Sequence, residues 1–119
     1  MDILITTNRP EAFTTFQAAL AVAGFTTHLA STGEAALARI KSLPPTLCIV
    51  DATLPDMGPF ALVAQLATVN ALVNTAVVSE LSDEQFHDAG EGLGIMARLP
   101  LYPSERDAQD LLTTLTVLL

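Results

Sequence analysis

The chain has 119 residues, half of them apolar and 15% charged, with one cysteine and a net charge of −8. That length and composition suit one domain with its own core and exclude a disordered segment or a disulfide-stapled scaffold. The acidic balance excludes nucleic acid and anionic membrane as expected partners, because both need a basic footprint.

In chain order, short β-rich runs alternate with helical patterns. DILIT (2–6) reads as a strand. A helix is expected over 10–23, where Phe13, Phe16, Leu20 and Ala23 recur at helical spacing. Asn8 with Glu11 would cap its start, and Gly24 would close it. FTTHL (25–29) is the second strand, followed by a helix over 33–42 with Ser31 and Glu34 as its capping pair. TLCIV (46–50) is the third strand; Cys48 within it reads as a buried core thiol. This strand ends on a lone acid, Asp51. A Pro-Asp-Met-Gly turn follows, in which Asp56 is expected to bond its own turn or, alternatively, to lean toward Asp51.

Pro59 opens the third helix (59–70), where its missing N–H costs nothing. TAVVS (75–79) is the fourth strand. Ser82 with Gln85 caps a helix over 83–90, and IMARL (95–99) is the fifth strand. Ser104 with Asp107 starts a last helix over 105–118, with Ala108, Leu111, Leu112, Leu115, Leu118 and Leu119 on one stripe. No run is long and apolar enough for a membrane span, and the first residues lack a signal peptide's basic start. A cytoplasmic location is the expectation.

Five strands alternating with five helices imply a single α/β domain over 1–119: a doubly wound parallel sheet with helices on both faces. The most apolar strands, the first and third, should be central, which gives the flavodoxin-like order 2-1-3-4-5. A ligand crevice then opens at their carboxyl ends, where Thr7, Asn8 and Asp51 lie.

These segments together resemble a response-regulator receiver domain, the phosphoacceptor module of two-component signalling. ILITTNRP…AGF is similar to the family's opening strand, proline and Gly-aromatic pair. TGEAAL resembles its second-helix pattern, and DATLPDMGPF its aspartate, three variable residues, proline and glycine turn. Ser79 falls at the hydroxyl position and Leu99-Pro100 at the Lys-Pro position. The resemblance makes Asp51 the phosphoacceptor equivalent, Ser79 the hydroxyl switch position and Leu99 the lysine equivalent. Thr7 and Asn8 take the places of the two metal-binding acids, and Met96 that of the rotating aromatic. No Mg²⁺ binding is therefore expected, since magnesium wants carboxylate oxygens and a single acid remains. His28 and His87 have no companions at metal-ligand spacing.

Arg9, at the crevice mouth, either extends into solvent or pairs with Asp51 where a metal would otherwise sit. Were Asp51 unpaired against its apolar strands, replacement by Asn would be tolerated. Three functional readings stand at this point. One is a degenerate receiver acting as a non-catalytic protein-interaction module. Another is a working single-domain regulator phosphorylated on Asp51. The third is a small flavodoxin-like binder holding a phosphate or flavin at the Thr6-Thr7-Asn8 loop.

The expected partner is a protein, such as a histidine kinase or another signalling protein, and a homodimer through the last helix is a further expectation. Residues 80–110 hold eight acids against two arginines and so carry −6 of the charge, a surface suited to a basic partner.

Overall fold

The structure, a computed structural model, describes all of residues 1–119. Its strands are β1 (Asp2–Thr6), β2 (Thr26–Ala30), β3 (Leu47–Val50), β4 (Asn74–Val78) and β5 (Ala97–Leu99). They form one parallel sheet in the order β2-β1-β3-β4-β5. The helices are α1 (Thr14–Val22), α2 (Gly33–Ser42), α3 (Pro59–Val69), α4 (Asp83–Gly90) and α5 (Glu105–Leu118). No helix is long and apolar enough to cross a membrane.

Side-chain alternation divides the central strands between two cores. Ile3, Ile5, Leu47 and Ile49 pack with Phe13, Phe16 and Leu20 before α1 and on it, and with Leu111 and Leu115 of α5. Leu4, Cys48 and Val50 pack on the other face with Ile40 of α2 and Leu62, Val63 and Leu66 of α3. From Ile3 onward the β1 residues, and all of those in β3, are buried almost completely, as befits strands covered on both sides. Cys48 lies fully buried beside the Thr6 hydroxyl, and desolvation pushes its thiol pKa up to about 12.

Two capping expectations are met in full. Ser82 and Gln85, and Ser104 and Asp107, each form a reciprocal capping box. Pro59 opens α3, and Gly24 turns the chain after α1 at φ +92, a conformation that favours glycine.

Other expectations are corrected. The helix expected over 10–23 is split into a 3-10 turn, Pro10–Phe13, and α1 proper. Asn8 does not cap it: the residue before the turn is Arg9, with no side-chain cap, and Asn8 is exposed. Pro10 holds Arg9 out of the helical region (φ −124, ψ 60), and the Arg9 N–H is taken upstream by the Thr7 hydroxyl at 2.8 Å. The cap of α2 is Thr32 rather than Ser31, its hydroxyl accepting from the Ala35 N–H at 3.0 Å.

Candidate functional site: a closed carboxylate at the carboxyl ends of β1 and β3

The alternation that buries Ile3 and Ile5, Leu47 and Ile49, continues one step past each strand. The ladder extends through Thr7 N–H to Ala30 C=O (2.8 Å) and Asp51 N–H to Thr6 C=O (2.9 Å). Thr7 and Asp51 therefore project to the same side, that of α1 and α5. Both are buried, with the Asp51 side chain 0% exposed.

The carboxylate is fully engaged. Arg9 grips it with two parallel bonds, Nε to Oδ2 at 3.0 Å and Nη2 to Oδ1 at 2.8 Å. The Thr7 hydroxyl donates to Oδ2 at 2.6 Å, and the Ala52 N–H donates to Oδ1 at 2.7 Å. A bidentate guanidinium-carboxylate pair is among the stronger charge-assisted arrangements, and arginine's planar fork matches it where a lysine would not. The Arg9 pKa is pushed above its already high ordinary value, chiefly by the hydrogen bonds to Asp51.

Arg9 reaches further than this one partner. Its Nη2 also donates to the Leu101 carbonyl at 2.9 Å, and its guanidinium lies 5.3 Å from the Tyr102 ring centroid and 5.9 Å from that of Phe13. One side chain thus ties the β1 end, the β3 end and the loop between β5 and α5. Its own exposure is 24%, so solvent extension, the alternative for Arg9, gives way to pairing. An Asp51 lacking a partner, the condition for ready replacement by Asn, is not what the fold contains.

The remaining crevice positions do other things. Ser79, just past β4, uses its hydroxyl to accept the Leu81 N–H at 3.1 Å, a turn contact. Leu99 is buried in the core beside α5 and offers no charge. Met96 is half-buried against the same core. Asp56 does not lean toward Asp51, and its main partners lie outside its own turn. It accepts the Gly33 and Glu34 N–H groups at 2.9 and 3.0 Å, capping α2 from a distant loop. Those two bonds hold its pKa below the usual carboxylate range. Leu101 and Tyr102 carry no sequence signal beyond their place in the loop after β5.

The donor chemistry does not fit a magnesium ion. The hydroxyl of Thr7 is spent on Asp51, the guanidinium covers both carboxylate oxygens, and no three His, Cys, Asp or Glu side chains converge anywhere in the fold. Two of the loop's N–H groups, those of Thr7 and Arg9, already have partners and so are not free to cradle a phosphate. A neighbouring cavity of about 430 Å³ is lined by Ala52, Thr53, Phe60, Ser79, Leu81 and Gln85, among others, and the Asp51 carboxylate is not part of its wall.

No family model and no curated protein matches the sequence. Solved structures do. A CheY-like response regulator receiver domain protein from Methanospirillum hungatei is 20% identical with a TM-score of 0.84, covering 98% of this chain and 94% of the other. A putative response regulator from Chloroflexus aurantiacus is 19% identical at 0.83, covering 97% of both chains. The chemotaxis response regulator CheY4 of Vibrio cholerae is 19% identical at 0.82, covering 99% and 98%. The fold is that of response-regulator receiver domains.

Proposed function

We propose that the chain is a degenerate receiver: a non-catalytic protein-interaction module in signal transduction, with its phosphoacceptor position held shut by Arg9. The observation that carries this reading is the state of Asp51, wholly buried with both oxygens bonded. An attacking carboxylate needs a free oxygen in line with the incoming phosphorus. Here that oxygen would first have to leave the guanidinium.

Charge points the same way. A phosphoryl donor brings a multiply charged anion to the site, and receivers offset the repulsion with Mg²⁺ and a lysine. At about 4 Å and an effective dielectric near 20, one unit charge pair is worth roughly 4 kcal/mol, about three decades in rate. Arg9 supplies one fixed positive charge, and Asp51 already neutralises it. The rival reading, a working regulator phosphorylated on Asp51, has that charge in its favour, since Arg9 would serve as the resident cation. It requires the ion pair to open and Asp51 to gain access to solvent.

Signalling then passes through a bound partner. Eight acids on α4, α5 and the segments around them suit a basic surface on a histidine kinase or another signalling protein. Incubation with acetyl phosphate and Mg²⁺, followed by intact mass measurement, tests the reading. No phosphorylated species is expected for the wild type, whereas stoichiometric gain of one phosphoryl group that Asp51→Asn abolishes would establish the working regulator instead.

A further inference from the structure

We propose that Met57 is a redox-sensitive clasp: oxidation of its thioether by a hydroperoxide releases the loop between β3 and α3 from the start of α2. The clasp has two parts, in adjacent residues. Asp56 accepts the Gly33 and Glu34 N–H groups, and the Thr32 hydroxyl accepts that of Ala35. The first three N–H groups of α2 are thus satisfied, two of them from a loop more than twenty positions away.

Met57 supplies the other part. A Cβ placed on Gly33 would lie 2.5 Å from Met57 Sδ, 2.7 Å from Cγ and 2.8 Å from Cε, so the thioether fills the space a side chain would take. Gly33 has no positive φ that would call for glycine, and this close approach is what requires one. On its other side the sulfur lies 3.9 Å from Gln65 Nε2 on α3, a weak N–H···S contact. Met57 also packs against the apolar core shared by α2 and α3.

The sulfur is open to reaction from one direction. Met57 is half-buried, while Gln65 beside it is exposed, which leaves an approach from the α3 side. Cys48, the chain's one thiol, is fully buried with its pKa raised, and is shielded from the same reagent. With hydrogen peroxide, a sulfur lone pair attacks one oxygen, the S–O bond forming as the O–O bond breaks. The hydroxyl left on sulfur gives its proton to the departing hydroxide, which leaves as water. Sulfur loses two electrons and the peroxide gains them. The product is a polar sulfoxide. Its oxygen has no room on the Gly33 side and no partner in the apolar core, so burial there carries a desolvation cost. Turning toward water satisfies the oxygen but lifts Met57 off Gly33 and draws the adjacent Asp56 carboxylate from its two N–H donors.

Met57 packs on the α2 and α3 side of the sheet, opposite the Asp51 side chain, so the inference does not rest on the degenerate-receiver reading. The test treats the folded wild type with millimolar hydrogen peroxide and assigns added oxygen among Met1, Met57 and Met96 by peptide mass mapping. Met57 is expected to gain one oxygen, as is Met1, which is 68% exposed. The Gly33 and Glu34 amide resonances should then shift and exchange roughly ten-fold faster, as expected on losing a charge-assisted bond. The thermal midpoint should fall, and methionine sulfoxide reductases of both stereospecificities should restore it. Met57→Leu, a swap that nearly conserves volume, should keep its midpoint under peroxide although Met1 is still oxidised. A folded wild type in which Met1 is oxidised and Met57 is not overturns the proposal. So does Met57 sulfoxide with unmoved Gly33 and Glu34 amides, a midpoint that the reductases fail to restore, or a Met57→Leu variant that peroxide destabilises as much as the wild type.

Discussion

Removing the Arg9 side chain isolates what the ion pair does for the fold. In Arg9→Ala, Asp51 stays fully buried and keeps only the Thr7 hydroxyl and the Ala52 N–H, at 2.6 and 2.7 Å. Breaking a buried ion pair costs about 3–5 kcal/mol, and Arg9 is 24% exposed, so about 3 kcal/mol is the appropriate end of that range. With unfolding entropy near 2.1 cal/mol/K per residue, that lowers Tm by roughly 12 °C in a chain of 119 residues. Asp51→Asn alone keeps an amide oxygen for Arg9 and lets the guanidinium turn toward water, so the cost is nearer about 1 kcal/mol. The double variant carries a neutral, hydrogen-bonded Asn and no orphaned charge. It should be more stable than Arg9→Ala alone, with a coupling of about 1–2 kcal/mol. Urea denaturation of all four proteins measures the cycle. Additive losses, or an Arg9→Ala cost within about 0.5 kcal/mol as for an ordinary surface residue, would refute the reasoning.

Two further outcomes follow from the titrating groups. Asp56 has a depressed pKa in the folded state, so its contribution is present above the unfolded value near 3.9 and is lost as pH falls through the folded value. Asp56→Asn should accordingly flatten the low-pH part of the stability profile, measured as denaturation midpoints between about pH 2 and 6, and an unchanged profile would show that the two α2 bonds do not hold in solution. Cys48, buried and pushed up to about 12, should resist a thiol alkylating reagent at neutral pH until the chain unfolds. Rapid labelling of the native protein would mean that the core opens around β3.

Much of the fold was legible because its signals are local. Alternating strand and helix patterns, two capping boxes and Pro59 each act within a few residues, and the parallel order follows from handedness and strand burial. The misreadings lie where a competing group, near or distant, overrides the expected one. Asn8 with Glu11 resembles a capping pair, but Pro10 fixes the preceding backbone and Thr7 takes the available N–H. Asp56 sits in a turn that suits its own side chain, yet two unsatisfied N–H groups at the start of α2 hold it instead. At the site, Thr7, Asp51 and Arg9 were identifiable as neighbours once the strands were ordered. Whether Arg9 turned inward was not, because the decision rests partly on the Leu101 carbonyl, 92 positions away. A backbone acceptor has no sequence signature. Tyr102 adds an aromatic surface beside the same guanidinium, from a loop whose path only the folded chain defines.

The proposal that Arg9 closes Asp51 to a metal ion or a phosphoryl group is tested most directly by amide chemical-shift mapping of the wild type with Mg²⁺ and then beryllofluoride, which mimics a phosphoryl group. The ion pair and the lack of a second carboxylate lead us to expect no saturable change at Asp51, Thr53 or Ser79 at millimolar Mg²⁺, with or without beryllofluoride. Saturable shifts at those three residues would contradict it, since the carboxylate would then have left Arg9 to receive the metal and the phosphoryl mimic.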